Sequence, residues 1–227
     1  MLTQSVPEIV YEDGALAVVI KPVGMPAQPD HSQVPSLLDW AQGKWKQVYI
    51  INRLDRPAGG LLILAKSASA AAKLSAMIQK DDFCKLYLVL AENASRLPAQ
   101  EGVLEDYLYK DGRQNRTFVV ESNKKGAKLA RLSYKILATG RTRSLIVVKL
   151  HTGRHHQIRA QLASRGCPVA GDVKYGASSV LREKGIALWS WSLSFQWRGQ
   201  VLELGSKPQG RAWEPFIDNI PKNLIIL

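Results

Sequence analysis

One short apolar run, which starts at the second of two glycines and is followed by a lysine, constrains the fold of this chain more than any other stretch. Residues 60–65 carry no charge, and Lys66 follows them. A run of this length, bounded in this way, predicts a strand that is buried on both faces. Pro57 disfavours helix at Arg56, so we expect a loop to lead directly into this strand.

That loop carries a carboxylate between two arginines. Asp55 lies between Arg53 and Arg56, just before the predicted strand. Loops that are held by a rigid scaffold often carry catalytic groups, which makes Asp55 a candidate for chemistry. The alternative is that Asp55 only pairs with a neighbouring arginine and caps the turn.

The charge balance narrows the class of partner. The net charge is +12 and the isoelectric point is near 9.8, which favours a polyanionic binding partner. Nucleic acid is the first candidate, and an anionic membrane surface is the second. No apolar run approaches the length of a bilayer span, and no signal-like segment follows Met1, so we expect a cytoplasmic protein. Cys84 and Cys167 are the only cysteines, and their separation predicts free thiols.

Periodicity predicts an α+β chain that is rich in strands and forms one domain over residues 1–227. Besides 60–65, the predicted strands are 9–11, 15–20, 85–90, 104–110, 117–120, 129–138, 144–150 and 187–197. The predicted helices are 36–45, a segment from Ser67 to about Lys80, and a segment that includes Ile158 and Leu162 and ends near Gly166. The strand at 187–197 alternates aromatic and polar residues, which predicts a half-buried strand whose tryptophans pack in the core; base stacking is the alternative.

Two of these segments carry further candidate residues. Tyr87 is the one aromatic residue with a polar tip in strand 85–90, and it is either a core tyrosine or a site residue. Strand 144–150, a glycine turn and the following helix place Arg154 and His155 at one end of the sheet. Three of the four histidines lie here, but no Cys, Asp or Glu joins them, so we do not predict a metal site.

Several blocks carry a resemblance to a known family. Arg-Leu-Asp-Arg-Pro at 53–57, with Gly-Leu-Leu at 60–62, resembles the signature of the RluA-type pseudouridine synthases. Leu-His-Thr-Gly-Arg-His-His-Gln-Ile-Arg at 150–159 resembles a second family block. The opening, with Val-Val-Ile-Lys-Pro-Val-Gly at 18–24, and the Gly-Asp-x-x-Tyr-Gly loop at 171–176 resemble two more.

The blocks follow one another in the family's order over roughly residues 9 to 216. The chain departs from the pattern at Asn52, where the family usually has His, and at Ala58-Gly59, where it usually has Thr-Ser. The family's catalytic pattern starts within the first ten residues, so we expect no amino-terminal RNA-binding domain of the S4 type.

The resemblance implies a fold and an activity. The fold would be a mixed, largely antiparallel, bent sheet, with helices and loops around a central basic cleft. The activity would be the isomerisation of specific uridines in structured RNA, ribosomal or transfer, to pseudouridine. The resemblance implies no cofactor and no metal, and we expect a monomer.

The resemblance also assigns roles to residues. Asp55 would be the catalytic carboxylate, Arg154 would pair with it and orient it, and Arg159 is the reserve candidate for that pairing. Tyr87 would pack on the target base, which must leave its stack to react, and Arg53 would enter the vacated space. The residues implied in substrate binding are Arg53, Arg56, His155 and Arg159. Asp172 and Tyr175 would support the loop at 171–176.

Two other functions stay open at this point. A non-catalytic RNA-binding protein could keep the fold and the charge. A nucleoside glycosidase could also use one carboxylate, but that reaction normally needs a second acid or an activated water, and no paired carboxylate lies near Asp55 in the sequence.

Overall fold

The computed structural model describes residues 6–79, 83–183 and 185–221. Within them lie eleven strands and three α-helices. The strands are β1 (Glu8–Glu12), β2 (Leu16–Lys21), β3 (Tyr49–Ile50), β4 (Gly59–Ala65), β5 (Cys84–Glu92), β6 (Glu101–Asp111), β7 (Arg116–Val120), β8 (Lys128–Thr139), β9 (Arg143–Leu150), β10 (Leu188–Trp197) and β11 (Gln200–Gly205). The helices are α1 (Leu37–Gln42), α2 (Ala68–Met77) and α3 (Gln157–Ser164).

The chain divides into two compact units, and each is built from two separate segments. The first unit comprises residues up to Lys85 together with Trp189–Pro208. The second comprises Leu86–Leu188 together with the residues from Gln209 onward. The chain therefore passes from one unit to the other three times. The expectation that residues 1–227 form one catalytic domain stays a prediction.

The sheet of the first unit is organised around β4. Its strand order is β1-β2-β4-β10, with β3 also paired to β4 and β11 also paired to β10. The pair β2–β4 is antiparallel, from Leu16 opposite Ala65 to Lys21 opposite Gly60, whereas β4 and β10 run parallel. Every residue of β4 is buried. The prediction of a strand buried on both faces is thus confirmed, and the strand starts one residue earlier than expected.

Two glycines at the start of β4 allow β10 to come close. Gly60 has a φ of +111°, and a Cβ atom on it would lie 2.3 Å from the Ser190 carbonyl oxygen. A Cβ atom on Gly59 would lie 2.4 Å from the Trp189 ring. Neither contact is possible for a real side chain, so both positions require glycine.

The prediction that β10 is half-buried is wrong for its first half. Ser190 and Ser192, on the face opposite the aromatic residues, are 0% and 3% exposed. Ser190 is opposite Gly60, which has no side chain to keep the strands apart, and the Ser192 hydroxyl donates to the Leu204 carbonyl oxygen at 3.1 Å. Trp189 is 1% exposed, and its indole N–H donates to Ser206, as expected of a core residue.

The second unit holds an antiparallel sheet in the order β5-β9-β8-β6-β7. Helix α3 packs on β6 and β7, where buried Leu108, Ala130, Ala160 and Tyr175 form a core. Together the two units confirm the predicted α+β class with a largely antiparallel arrangement.

Several element bounds differ from the predictions. Helix α1 is shorter than 36–45, because Ser36 caps its start through Asp39 and Gly43 follows its end. Helix α2 ends at Met77, and Lys80 lies outside the described residues. Strands β3 and β11 were not predicted, since two residues carry no periodicity and β11 has few buried positions. No helix in the described part of the chain is long and apolar enough to cross a membrane.

We predict that Gly60→Ala destabilises the protein strongly. The new methyl group would meet the Ser190 carbonyl oxygen, and the backbone has a left-handed φ that alanine disfavours. The expected loss is more than about 3 kcal/mol in the free energy of unfolding, measured by urea denaturation.

Gly14→Ala is the matched control in the same unit. Nothing lies within 4 Å of a Cβ atom at Gly14, and its φ is not positive, so the change should stay within about 0.5 kcal/mol. Similar losses for both variants would contradict the close approach at Gly60.

Candidate active site

Asp55 lies in a short, fixed loop between β3 and β4. Leu54, on its amino-terminal side, is 7% exposed and anchors the loop in the core. The Ala58 amide donates to the Asp55 carbonyl oxygen at 3.0 Å and closes a turn through Arg56 and Pro57. The Asp55 side chain therefore belongs to a loop whose two ends are held by buried residues.

Asn52 fixes the amino-terminal end of this loop to β4. Its side-chain oxygen accepts from the Ile63 amide at 2.7 Å, and its side-chain nitrogen donates to the Leu61 carbonyl oxygen at 3.4 Å. Asn52 is 7% exposed, and the Ile51 amide just before it donates to the Ile63 carbonyl oxygen at 2.9 Å, which continues the pairing of β3 with β4 by one position. Asn52 thus has a local role, and so does Gly59, which leaves the space that the Trp189 ring fills.

A second segment of the first unit holds the carboxy-terminal side of the loop. The Gly24 amide donates to the Arg56 carbonyl oxygen at 2.9 Å, and Arg56 Nε donates to the Gly24 carbonyl oxygen at 3.1 Å. Arg56 also forms an ion pair with Asp30 at 3.3 Å. Part of the Arg56 side chain is exposed, and Arg53 is exposed beside it.

Lys21, which ends β2, lies beneath the same loop and was not predicted. Its side chain is 0% exposed, and Nζ donates to the carbonyl oxygens of Pro22 and Met25, each at 2.8 Å, and of Arg56 at 3.4 Å. Burial lowers the pKa of Lys21 to about 7, attraction to Asp55 opposes this shift, and repulsion by Arg56 adds to it. The one sequence signal for its burial is that Lys21 ends an apolar run and directly precedes Pro22.

The second unit carries the other predicted site residues. Tyr87 lies in β5 opposite Val148 of β9 and is 6% exposed. Arg154 is exposed, and its Nε donates to the Leu129 carbonyl oxygen at 2.9 Å. The two residues therefore differ in burial, with Tyr87 in the core and Arg154 at the surface.

Arg159 is the most rigidly held of the predicted residues. It is 4% exposed, and its Nε and Nη2 donate to the two carboxylate oxygens of Asp172 at 2.6 and 2.9 Å. Its guanidinium also lies 4.8 Å from the centre of the Tyr175 ring. Asp172 is 1% exposed, so this bidentate pair is shielded from water, where such pairs are strong and directional.

Tyr175 connects this ion pair to β7 and to the histidines. Its hydroxyl oxygen accepts from the Thr117 amide at 2.8 Å and lies 2.9 Å from His156 Nδ1. Burial raises the pKa of Tyr175, so the hydroxyl keeps its proton at neutral pH. His155 is placed by the same strand, because its Nδ1 lies 2.8 Å from the Thr117 hydroxyl. These contacts agree with the predicted supporting role of Asp172 and Tyr175.

The two units divide the predicted site residues between them. Arg53, Asp55 and Arg56 share one loop of the first unit, and Tyr87, Arg154, His155 and Arg159 belong to the second. The pairing of Asp55 with an arginine of the second unit stays a prediction.

Across residues 6–79, 83–183 and 185–221, no group of three or more His, Cys, Asp or Glu side chains could hold a metal ion.

Comparison with known proteins identifies relatives of this chain. The family model described as RNA pseudouridylate synthase matches residues 15–164. The ribosomal large subunit pseudouridine synthase D of Zymomonas mobilis is 32% identical over 187 residues, which are 77% of this chain and 58% of that protein. The protein of the same name from Nitrosomonas europaea is 30% identical over 86% of this chain and 60% of its own length. The chain thus spans about 60% of the length of these two relatives.

Two solved human structures share the fold. RNA pseudouridylate synthase domain containing 1 aligns with a TM-score of 0.75 at 21% identity, over 92% of this chain and 86% of that one. RNA pseudouridylate synthase domain containing 4 aligns with a TM-score of 0.74 at 20% identity, over 94% and 92%. At this level of identity the likeness concerns the fold alone.

We predict that Lys21 makes the stability of the protein depend on pH. Its pKa is about 7 in the folded chain and 10.5 when unperturbed, so between these values the unfolded chain binds more protons at Lys21. The free energy of unfolding should therefore rise with pH in this window, by about 1.4 kcal/mol per unit. Urea denaturation of wild type and Lys21→Met measures this contribution as the difference between the two curves.

Wild type should gain about 2 kcal/mol relative to Lys21→Met between about pH 7 and pH 9. Below about pH 7 the lysine is charged in both states, and the difference should be constant. A difference that stays constant up to pH 9 would show that Lys21 has an ordinary pKa.

Proposed function

This chain belongs to the RNA pseudouridylate synthase family, and we propose that it isomerises specific uridines in structured RNA to pseudouridine. The observation that carries the proposal is the Asp55 loop. It presents the family's catalytic carboxylate at the start of a fully buried strand; Asn52 holds one side of the loop, and Lys21 and Gly24 hold the other through the Arg56 carbonyl oxygen. A carboxylate fixed in this way suits a reaction that needs one positioned acid–base or nucleophilic group.

The proposed reaction exchanges one bond for another on the same sugar. The bond between uracil N1 and C1′ breaks, the uracil turns, and C5 bonds to C1′; the C5 proton is lost to water and N1 takes up a proton, so the product is an isomer of the substrate. The reaction is redox-neutral and needs no nucleotide cofactor. Asp55 either attacks the sugar or base as a nucleophile or takes the C2′ proton so that a glycal forms.

The target uracil cannot react inside a stacked helix, so it must turn out into the site. Arg53 is exposed beside Asp55 and fills the space that the base leaves. Tyr87 packs on the flipped uracil. Arg56 is held by Gly24 and Asp30, so its main contribution is to keep the loop in place, with its exposed part available to a phosphate.

Asp55 requires a basic partner that fixes its direction, and the two candidate arginines differ in their suitability. The family resemblance favours Arg154, which is exposed and bound to one carbonyl oxygen. The contacts within the second unit favour Arg159, whose guanidinium is buried and aligned by Asp172. A buried cation aligned by two hydrogen bonds orients a carboxylate better than an exposed one, so Arg159 is the stronger candidate and Arg154 becomes an RNA contact.

RNA is the proposed partner, in a central basic cleft. The net charge of +12 supports binding to a polyanion. The Zymomonas and Nitrosomonas relatives are named for the large ribosomal subunit, which makes ribosomal RNA a candidate substrate beside transfer RNA. The proposal further includes His155 as an RNA contact, a monomeric state and a cytoplasmic location.

We predict that Asp55→Asn abolishes uridine isomerisation without unfolding the protein. RNA transcripts that carry tritium at uracil C5 release it to water when the C5 proton is lost. Wild type should release tritium from fragments of ribosomal or transfer RNA, and Asp55→Asn should lower the rate by at least about 1,000-fold. Circular dichroism and filter binding confirm that the variant keeps its fold and its affinity for RNA.

Glu8→Gln, which makes the same chemical change at an exposed position of β1, is the control and should keep the wild-type rate. Equal release by wild type and Asp55→Asn would keep the activity but exclude Asp55 from the chemistry. Tight binding without release from any RNA would favour the alternative of a non-catalytic RNA-binding protein.

We predict that Arg159→Lys and Arg154→Lys change different kinetic constants. Lysine cannot reproduce the bidentate geometry of Arg159, so kcat should fall by at least about 100-fold with little change in KM. Arg154→Lys keeps the charge and should change kcat and KM by no more than about threefold. Near-UV circular dichroism at the assay temperature shows whether each variant is fully folded. A loss of kcat in Arg154→Lys alone would return the pairing role to Arg154.

A further inference from the structure

A fully buried lysine with no carboxylate among its hydrogen-bond acceptors needs an explanation. Lys21 is 0% exposed, and its three hydrogen bonds are to backbone carbonyl oxygens. Lysines are almost never fully buried, because removing an ammonium group from water is costly unless it is well paired. Methionine would fill similar space without this cost, so the charge or the donors of Lys21 serve some purpose.

The location of Lys21 indicates what that purpose is. Two of its acceptors, Pro22 and Met25, belong to the segment that follows β2, and the third is Arg56, the residue after Asp55. The same Arg56 carbonyl oxygen also accepts from the Gly24 amide. Lys21 and Gly24 thus connect one segment of the first unit to the loop that carries the carboxylate.

We propose that Lys21 is a positioning residue for the reaction, whose three N–H groups hold the backbone beside Asp55 so that its carboxylate points in one direction. The proposal rests on the proposed function in that Asp55 is taken as the catalytic carboxylate. A displacement of about 1 Å at a reacting group can cost a factor of about 100 in rate, so a fixed loop backbone has a large effect.

The number of donors makes this positioning depend on the protonation of Lys21. An ammonium group has three N–H donors for the three carbonyl oxygens, and a neutral amine has two. The bond to Arg56 is the longest of the three and is the one we expect to be lost first. The pKa of Lys21 is about 7, with Asp55 and Arg56 as the charged groups that act on it, so the bond to the loop weakens near neutral pH.

The first test compares the pH dependence of the chemical step in wild type and Lys21→Met. Tritium release is measured under single-turnover conditions with enzyme in excess over RNA, so that the affinity for RNA does not limit the rate. The wild-type rate should fall as the pH rises through about 7. Lys21→Met should be slower by about 100-fold at pH 6, and its rate should show no fall near pH 7.

Lys66→Met is the matched control. Lys66 follows the other end of β4, is also largely buried, and also donates to a backbone carbonyl oxygen, that of Asp13, while pairing with Glu12. Its replacement should lower the stability but leave the rate and its pH dependence as in wild type. An equal loss of rate in Lys66→Met, or a wild-type rate and pH profile in Lys21→Met, would overturn the proposal.

A second measurement needs neither a variant of Lys21 nor any activity. The amide signal of Gly24 in a ¹H–¹⁵N NMR spectrum should shift with a midpoint near pH 7, because Gly24 shares its acceptor with Lys21. The experiment uses His31→Gln protein, so that no histidine remains in the segment between Gly24 and helix α1. A Gly24 signal that does not shift between about pH 5.5 and 9 would overturn the positioning contact.

The two measurements separate failure of this proposal from failure of the proposed function. If wild type releases no tritium from any RNA, the proposed function fails, and the NMR titration still decides whether Lys21 holds the loop. If wild type is active and neither measurement shows a transition near pH 7, the role of Lys21 fails and the proposed function stands.

Discussion

The close approach of β10 to the first residues of β4 is the constraint on which the candidate site depends. Because Gly59 and Gly60 have no side chains, the Trp189 ring and the Ser190 backbone lie directly against them. This contact buries the start of β4 at the point where the Asp55 loop joins it. A loop attached to a strand that cannot move is itself restricted, and the hydrogen bonds from Asn52 restrict it further. The packing of β10 against β4 thus determines where the charged Asp55 side chain can lie.

The sequence predicted those parts of the site that are determined by residues close to one another in the chain. The burial of 60–65 and the loop before it follow from a hydrophobic run and from the backbone preferences of Pro and Gly. The role of Lys21 could not be predicted in this way, because its third acceptor is 35 residues away in the chain. The burial of Ser190 depends likewise on a glycine of another strand, and alternation within β10 suggested a solvent-facing side chain. The division of Arg154 and Arg159 into exposed and buried residues depends on α3 packing over β6 and β7.

Two buried cations of this protein illustrate different ways of keeping a charge in a core. Arg159 has a full counterion, and the Asp172 carboxylate meets its guanidinium with two parallel hydrogen bonds. Lys21 has only the partial charges of peptide carbonyl groups, with Asp55 attracting it through space. The first arrangement keeps its charge at any physiological pH, whereas the second is close to losing its proton. This chain thus has one permanent and one conditional cation, Arg159 and Lys21, within two of the blocks that resemble the family's signatures.

The division of the chain into interleaved units has a consequence for its synthesis. Strands β1 to β4 leave the ribosome early, but their sheet lacks β10 and β11 until residue 205 has been made. Until then Gly59 and Gly60 at the start of β4 lack Trp189 and Ser190, which lie against them in the complete sheet. More than a hundred residues of the second unit are made in the interval, including strands β6 to β9 and helix α3, so most of that unit has the opportunity to fold first although it starts later in the sequence. The order in which the strands of the two units become available is therefore set by where they are encoded, and a ribosome that stalls before β10 would hold a strand β4 whose first residues are paired with β2 but not yet with β10.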